Sequence, residues 1–382
     1  MEKDRFWEAL ERLYTVNIGI RVGERTLVFS DTIRPDEKVT NKDRDRRERL
    51  YKIARMAAEV GKIYGPTNFI EYPALDFHGQ EPPKALWEAA FGREVTAELE
   101  MKGLLSRLLR KDASHEEIEA ARSTVLNHCQ ECVHVIIGMA NFSTSHTQFR
   151  KLATEAGARF ISMPLFDPEM FFGPMDVDWT ALAKRTEKLA DLLGKASWAF
   201  LSAENMTHLT IGLEDRKAWA DTGLLTAPGC FGNLPAGEAF IAPVEGTAEG
   251  TLAVKYGPTA KLKEPLLLKV RNGIVFKVEG KGEYARFLRT KLRESPANGN
   301  IAELGIGTNE KARDPFNILE AEKILGTIHI ALGDNSGFGG MVRTPFHIDH
   351  VVFNSTLELK YMDGRREEVI REGRLLVGME RP

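Results

Sequence analysis

The segment RTPFHIDHVVFN, Arg343 to Asn354, brings His347, Asp349 and His350 close together at the head of an apolar run. In a strand, side chains alternate between faces, so His347 and Asp349 point one way and Ile348 and His350 the other. A His-x-Asp pair on one strand face can reach a single metal ion. Upstream, GTIHIALG sets His329 in mid-strand among Ile328, Ile330 and Leu332. In DPFNILEAEKILG the spacing predicts a short helix on which Glu322 shares a face with Ile318, Leu319 and Leu325. Glu303 in NIAELGIG has apolar neighbours, and Glu238 in NLPAGEAFIAP opens a strand after a Pro/Gly turn. A carboxylate in such surroundings needs a partner, because an unpaired buried charge costs several kcal/mol or gives up its ionisation. Taken singly, each residue has an ordinary explanation in a hydrogen bond or an ion pair. As a set, two imidazoles and four carboxylates suit the mixed nitrogen and oxygen shell of paired divalent ions.

The elements that must position these groups change character along the chain. The first part mixes strands and helices: TVNIGIRVGERTLVFSD alternates like a hairpin, and KDRDRRERLYKIARMAAEVGKIYG reads as an amphipathic helix. VHVIIGMA, ARFISMP and ASWAFLSA read as strands separated by helices, the longest of them DWTALAKRTEKLADLLG behind the cap Asp178. This alternation predicts an α/β fold with a largely parallel sheet. After about Thr226 glycine and proline thicken and short strands dominate, which predicts a β-rich α+β domain. The expected division is residues 1–225 and 226–382, with the metal site in the second.

Composition narrows the function. The chain has 382 residues and a net charge of 52 − 55 = −3, which advertises neither nucleic acid nor an anionic membrane as partner. The N-terminus MEKDRFWEAL lacks an apolar signal core, no apolar run reaches the length of a membrane span, and the cysteines number 3, so a cytoplasmic protein is expected. HEEIE at His115 lacks the second histidine of a zinc-protease helix, and no P-loop is present. Cys129 and Cys132 form a C-x-x-C flanked by histidines, a weak metal or redox signal without a second pair. GDNSGFGG, Gly333 to Gly340, has the glycines to cradle an anion but reads first as a mobile glycine-rich loop.

PGCFGNLPAGEAFIAPVEGTAEG, IAELGIGTN, ILGTIHIALGDN and PFHIDHVV resemble the corresponding segments of the metallopeptidases aminopeptidase T and aminopeptidase S. The resemblance spans roughly Arg150 to Leu376. It implies two divalent ions, zinc, cobalt or manganese, on Glu238, Glu303, Glu322, His329, His347 and Asp349. It further implies a homodimer, and the first reading is an aminopeptidase-like hydrolase of small peptides in which Glu303, a carboxylate beside the ions, is the general base for a metal-activated water. Where the family carries a catalytic tyrosine, this chain has Ser336. The superfamily also includes 2,5-dihydroxypyridine dioxygenases with a single ferrous ion on two histidines and an aspartate. His329, His347 and Asp349 match that set, which makes an iron(II) ring-cleaving dioxygenase acting on another small molecule the alternative reading.

Overall fold

A computed structural model describes residues 2–204, 206–257 and 261–377. The chain divides into two compact units, 1–175 with 223–235, and 176–222 with 236–382.

The first unit is built on a five-stranded parallel sheet in the order Thr67–Pro73, Thr26–Thr32, Val135–Gly138, Arg159–Ser162 and Phe231–Asn233. Val135–Gly138 and Arg159–Ser162 are buried at every position, as inner parallel strands covered on both faces must be. Trp87, Phe91, Phe149 and Phe160 join Phe29 in one buried cluster. The hairpin expected at TVNIGIRVGERTLVFSD does not form. Leu13–Ile18 continues the helix Glu2–Arg12 as a wide π-type turn, closed by Gly19 at φ 60°. Leu10, Leu13, Tyr14 and Ile18 are fully buried at helical spacing, so the 3.6-residue period overrode an alternation that was also present.

The second unit stacks two sheets. One has eight strands, from the edge strand Ile274–Glu279 through Ala196–Ala203 to Arg374–Leu375. The other has five, all antiparallel, in the order His347–Val352, Ile328–Gly333, Ile301–Gly307, Glu238–Ile241 and Ala218–Asp221. Leu209, Leu252 and Leu268 of the larger sheet share one buried cluster with Leu304, Ile306, Ile328 and Ile330 of the smaller. Each such side chain contributes about 1.5–3 kcal/mol on leaving water.

The α/β and β-rich layers are those expected, but the chain passes between the units at three places where a single cut near Leu225 was expected. Ala196–Ala203 pairs antiparallel with Thr207–Gly212 in the eight-stranded sheet, while Phe231–Asn233 returns to the parallel one. Helix-then-strand alternation is the same in either sheet, because strand partners are chosen by non-local contacts. Among the described residues no helix is long and apolar enough to cross a membrane.

Candidate metal centre

The five-stranded sheet turns one face to the hydrophobic core and the other to the ligand-type residues. Across its ladders Gly333 pairs with His347, Ala331 with Asp349 and with Glu303, Gly305 with His329 and Phe240, and Gly307 with Glu238. Residues directly opposite share a face. Glu238, Glu303, His329, His347 and Asp349 therefore stand together, while His350 faces the core opposite Ile330. A ladder irregularity between Ile301 and Glu303 makes this possible. Ile301 pairs with the core-facing Leu332, and the extra residue re-aims Glu303 onto the other face.

Two triplets result, each with ligand atoms within 4.8 Å of one another: Glu238, Glu303 and His329, and Glu303, His347 and Asp349. Glu303 belongs to both. Its Oε1 lies 3.2 Å from His329 Nε2 and its Oε2 lies 3.6 Å from His347 Nε2. Glu238 Oε2 is 3.3 Å from His329 Nε2, and Asp349 Oδ1 is 3.6 Å from His347 Nε2. His347 Nδ1 is 2.8 Å from the Asp334 carbonyl. Donating a proton there leaves the Nε2 lone pair directed at the carboxylates, the tautomer a metal-binding imidazole needs. Glu238 Oε2 is buried without a hydrogen-bond partner among the described residues. An acceptor left bare beside an imidazole nitrogen and a second carboxylate fits a divalent cation.

The electrostatics record how much negative charge is gathered here. Burial alone would lower the imidazoles, but Glu303 and Glu238 hold His329 up to about 9, and Asp349 with Glu303 holds His347 up to about 10. Burial raises Asp349, yet His347 and His329 outweigh it and its carboxyl lies well below the usual range. Burial pushes Glu322 up to about 8 against the pull of Lys323, and raises Glu303. On the core side, burial drives His350 down to about 4, and its neutral Nε2 is 2.9 Å from the Tyr284 hydroxyl.

Glu322 stands apart from both triplets. The helix expected around it is a single turn, Ile318–Ala321, and its Oε1 lies 2.9 Å from Lys323 Nζ. Lys323 is the residue that sequence reasoning passed over. Its side chain is completely buried, with Nζ paired to Glu238 Oε1 at 2.5 Å and, more distantly, to Asp221 Oδ2 at 3.8 Å. Those acids, Glu238 first, outweigh the lowering by burial and keep the amine protonated. A lysine directly after a buried glutamate was the available signal.

A profile of the 2,5-dihydroxypyridine 5,6-dioxygenase (NicX) family matches residues 95–377, well over half of the chain and all of the ligand-type residues above. The chain belongs to this family. It is 26% identical over 158 residues to 2,5-dihydroxypyridine 5,6-dioxygenase of Pseudomonas putida, an alignment spanning 37% of this chain and 45% of that one. The chain thus matches less than half the length of this curated relative. Two solved structures share the fold. The 2,5-dihydroxypyridine dioxygenase of Pseudomonas putida KT2440 superposes with a TM-score of 0.70 at 16% identity, covering 99% of this chain and 98% of that one. Wild-type AmpT from Thermus thermophilus gives 0.65 at 15%, covering 99% and 100%. The fold is common to both solved structures, while the family is that of the dioxygenases, the alternative in the sequence analysis.

One further expectation changes, in the segment that also carries Ser336. Ser336 is exposed and its hydroxyl turns onto Asp334, 3.1 Å from Oδ1. The Gly333–Gly340 segment is not a loose loop. Asn335 at its centre is fully buried and exchanges hydrogen bonds with Val342 through both its amide N–H and its side-chain oxygen. Cys129 is exposed and Cys132 buried, its thiol pushed up to about 11 by burial, and neither belongs to a ligand triplet.

Proposed function

We propose that this chain is a metal-dependent dioxygenase that opens an electron-rich, hydroxylated aromatic ring, with one divalent ion, iron(II), on His329, His347 and Asp349. The observation that carries the reading is the Lys323 ammonium. It already supplies a cation to Glu238, Glu322 and Asp221, the carboxylates on which a second metal would draw. Family membership and the surface position of Ser336 support the same conclusion. His329, His347 and Asp349 would hold a ferrous ion, which would supply the redox chemistry of ring opening by dioxygen.

The protein groups have separate tasks. Asp334 fixes the tautomer of His347 through its backbone carbonyl. Glu303, set between the two imidazoles, would take the proton of a ring hydroxyl. Lys323 keeps Glu238 and Glu322 paired, so the buried acids do not repel one another.

A second reading, the two-metal hydrolase with Glu238, Glu303 and Glu322 among its ligands, rests on Glu303 being shared by the two triplets. The two readings separate in one assay. Protein loaded anaerobically with iron(II) is exposed to dissolved oxygen with 2,5-dihydroxypyridine, and in parallel to amino-acid anilides with zinc or cobalt. Oxygen uptake with loss of the ring absorbance is expected. Anilide hydrolysis without oxygen uptake would overturn the dioxygenase reading.

A further inference from the structure

We infer that Trp219, Phe240 and Phe338 form a preformed aromatic shelf that seats a flat ring beside the ligand cluster. This assignment deepens the ring-cleavage reading and rests on it. Trp219 and Phe240 are directly opposite in the ladder, and Phe240 is opposite Gly305, so both rings lie on the face that carries Glu238, Glu303 and His329. Phe338 arrives from the segment after Gly333. Its ring centroid is 5.5 Å from that of Phe240, at 76°, and 6.2 Å from that of the His347 imidazole, at 83°. Trp219 Nε1 donates to the Phe338 carbonyl at 2.9 Å, tying two members of the shelf together. Lys217 Nζ covers one face of the Trp219 ring, 3.8 Å from its centroid.

Three aromatic rings next to a cluster of acids are not filling a core. Trp219 is 38% exposed, and Phe240 and Phe338 are half-buried. Such a wall offers edge and face contacts to a planar ring whose oxygen substituents reach the charged side.

The backbone behind Phe338 is held firmly. Glu245 Oε1 accepts Asn335 Nδ2 at 3.0 Å and the Met341 amide at 2.8 Å, and its other oxygen pairs with Arg216, which also donates to the Gly339 carbonyl. At Gly340 an added Cβ would lie 1.9 Å from Asn335 Cγ, so the chain there closes onto the buried amide. A strap pinned in this way presents Phe338 in a fixed place before the ligand arrives, and less order is lost on binding.

The test uses iron-loaded protein without oxygen, titrated with 2,5-dihydroxypyridine and, for comparison, with the ringless chelator malonate. Trp219 fluorescence is isolated by subtracting the Trp219→Phe variant. The shelf predicts quenching of Trp219 by the ring compound. It also predicts a roughly ten-fold weaker ring affinity in Trp219→Ala and in Phe338→Leu, which keeps an apolar side chain without the ring. Iron content and malonate affinity should stay unchanged. Ring binding that is tight and equal in wild type and both variants overturns the shelf alone. No ring binding by the iron-loaded wild type overturns the shelf together with ring cleavage.

Discussion

Gly305 decides where His329 can lie. A Cβ built on Gly305 falls 2.0 Å from His329 Nε2 and 2.1 Å from Cε1, because the imidazole lies across this strand position. Gly305→Ala is therefore predicted to displace the ring and weaken iron affinity by at least about ten-fold, the scale of effect expected when a ligand's support is disturbed. Calorimetric titration with iron(II) checks this, and an unchanged affinity would show that the ring has another place to go. Lys323 makes a second prediction at the same scale. Lys323→Met takes the ammonium away from Glu238 and Glu322, and breaking a buried pair from one side costs about 3–5 kcal/mol. The variant should lose that much unfolding free energy without metal and regain part of it in excess manganese(II). A metal-free stability equal to wild type would mean that the ammonium is not what balances these acids.

Among the elements, the helix Gln148–Glu155 shows how the first unit ties sequence-distant parts together. Glu81 accepts the amide protons of Gln148 at 2.5 Å and Phe149 at 3.1 Å, capping the first turn from a remote loop. Burial raises its carboxyl from 4.5 to about 7 in spite of these donors and of Lys111 and Arg150. A carboxyl raised in the folded state binds its proton more tightly there than in the unfolded chain. Its contribution is thus fully favourable below about pH 4.5 and is lost as pH rises towards 7, by about 3 kcal/mol in all. Unfolding free energies between pH 5 and 8 should fall for the wild type with a component that Glu81→Gln lacks. Identical pH profiles would place the shift elsewhere.

How much could be read beforehand follows from the range of each signal. The period of two in PFHIDHVV fixed which side chains share a face, and the ladder with Ile328–Gly333 agrees with it. The break between Ile301 and Glu303 lies in strand pairing, which no local pattern encodes, and so does the return of Phe231–Asn233 to the parallel sheet. Lys323 was passed over because lysine ordinarily signals surface, and its burial depends, beyond its neighbour Glu322, on Asp221 and Glu238, which are far away in sequence. The strap after Gly333 looked mobile from its glycines, yet Gly340 is there to let the backbone meet Asn335.

At the scale of the whole chain, both units have their own cores, and the ligand-type residues all belong to the second. The same fold is shared with a dioxygenase and with AmpT, so architecture does not choose the chemistry. The number of cations does. Iron(II) bound per chain, measured on anaerobically loaded protein after removal of free metal, tests the proposal most directly. One tight equivalent is predicted, with Lys323 standing as the second positive centre. Two tight equivalents per chain would contradict it and return Glu238 and Glu322 to the role of metal ligands.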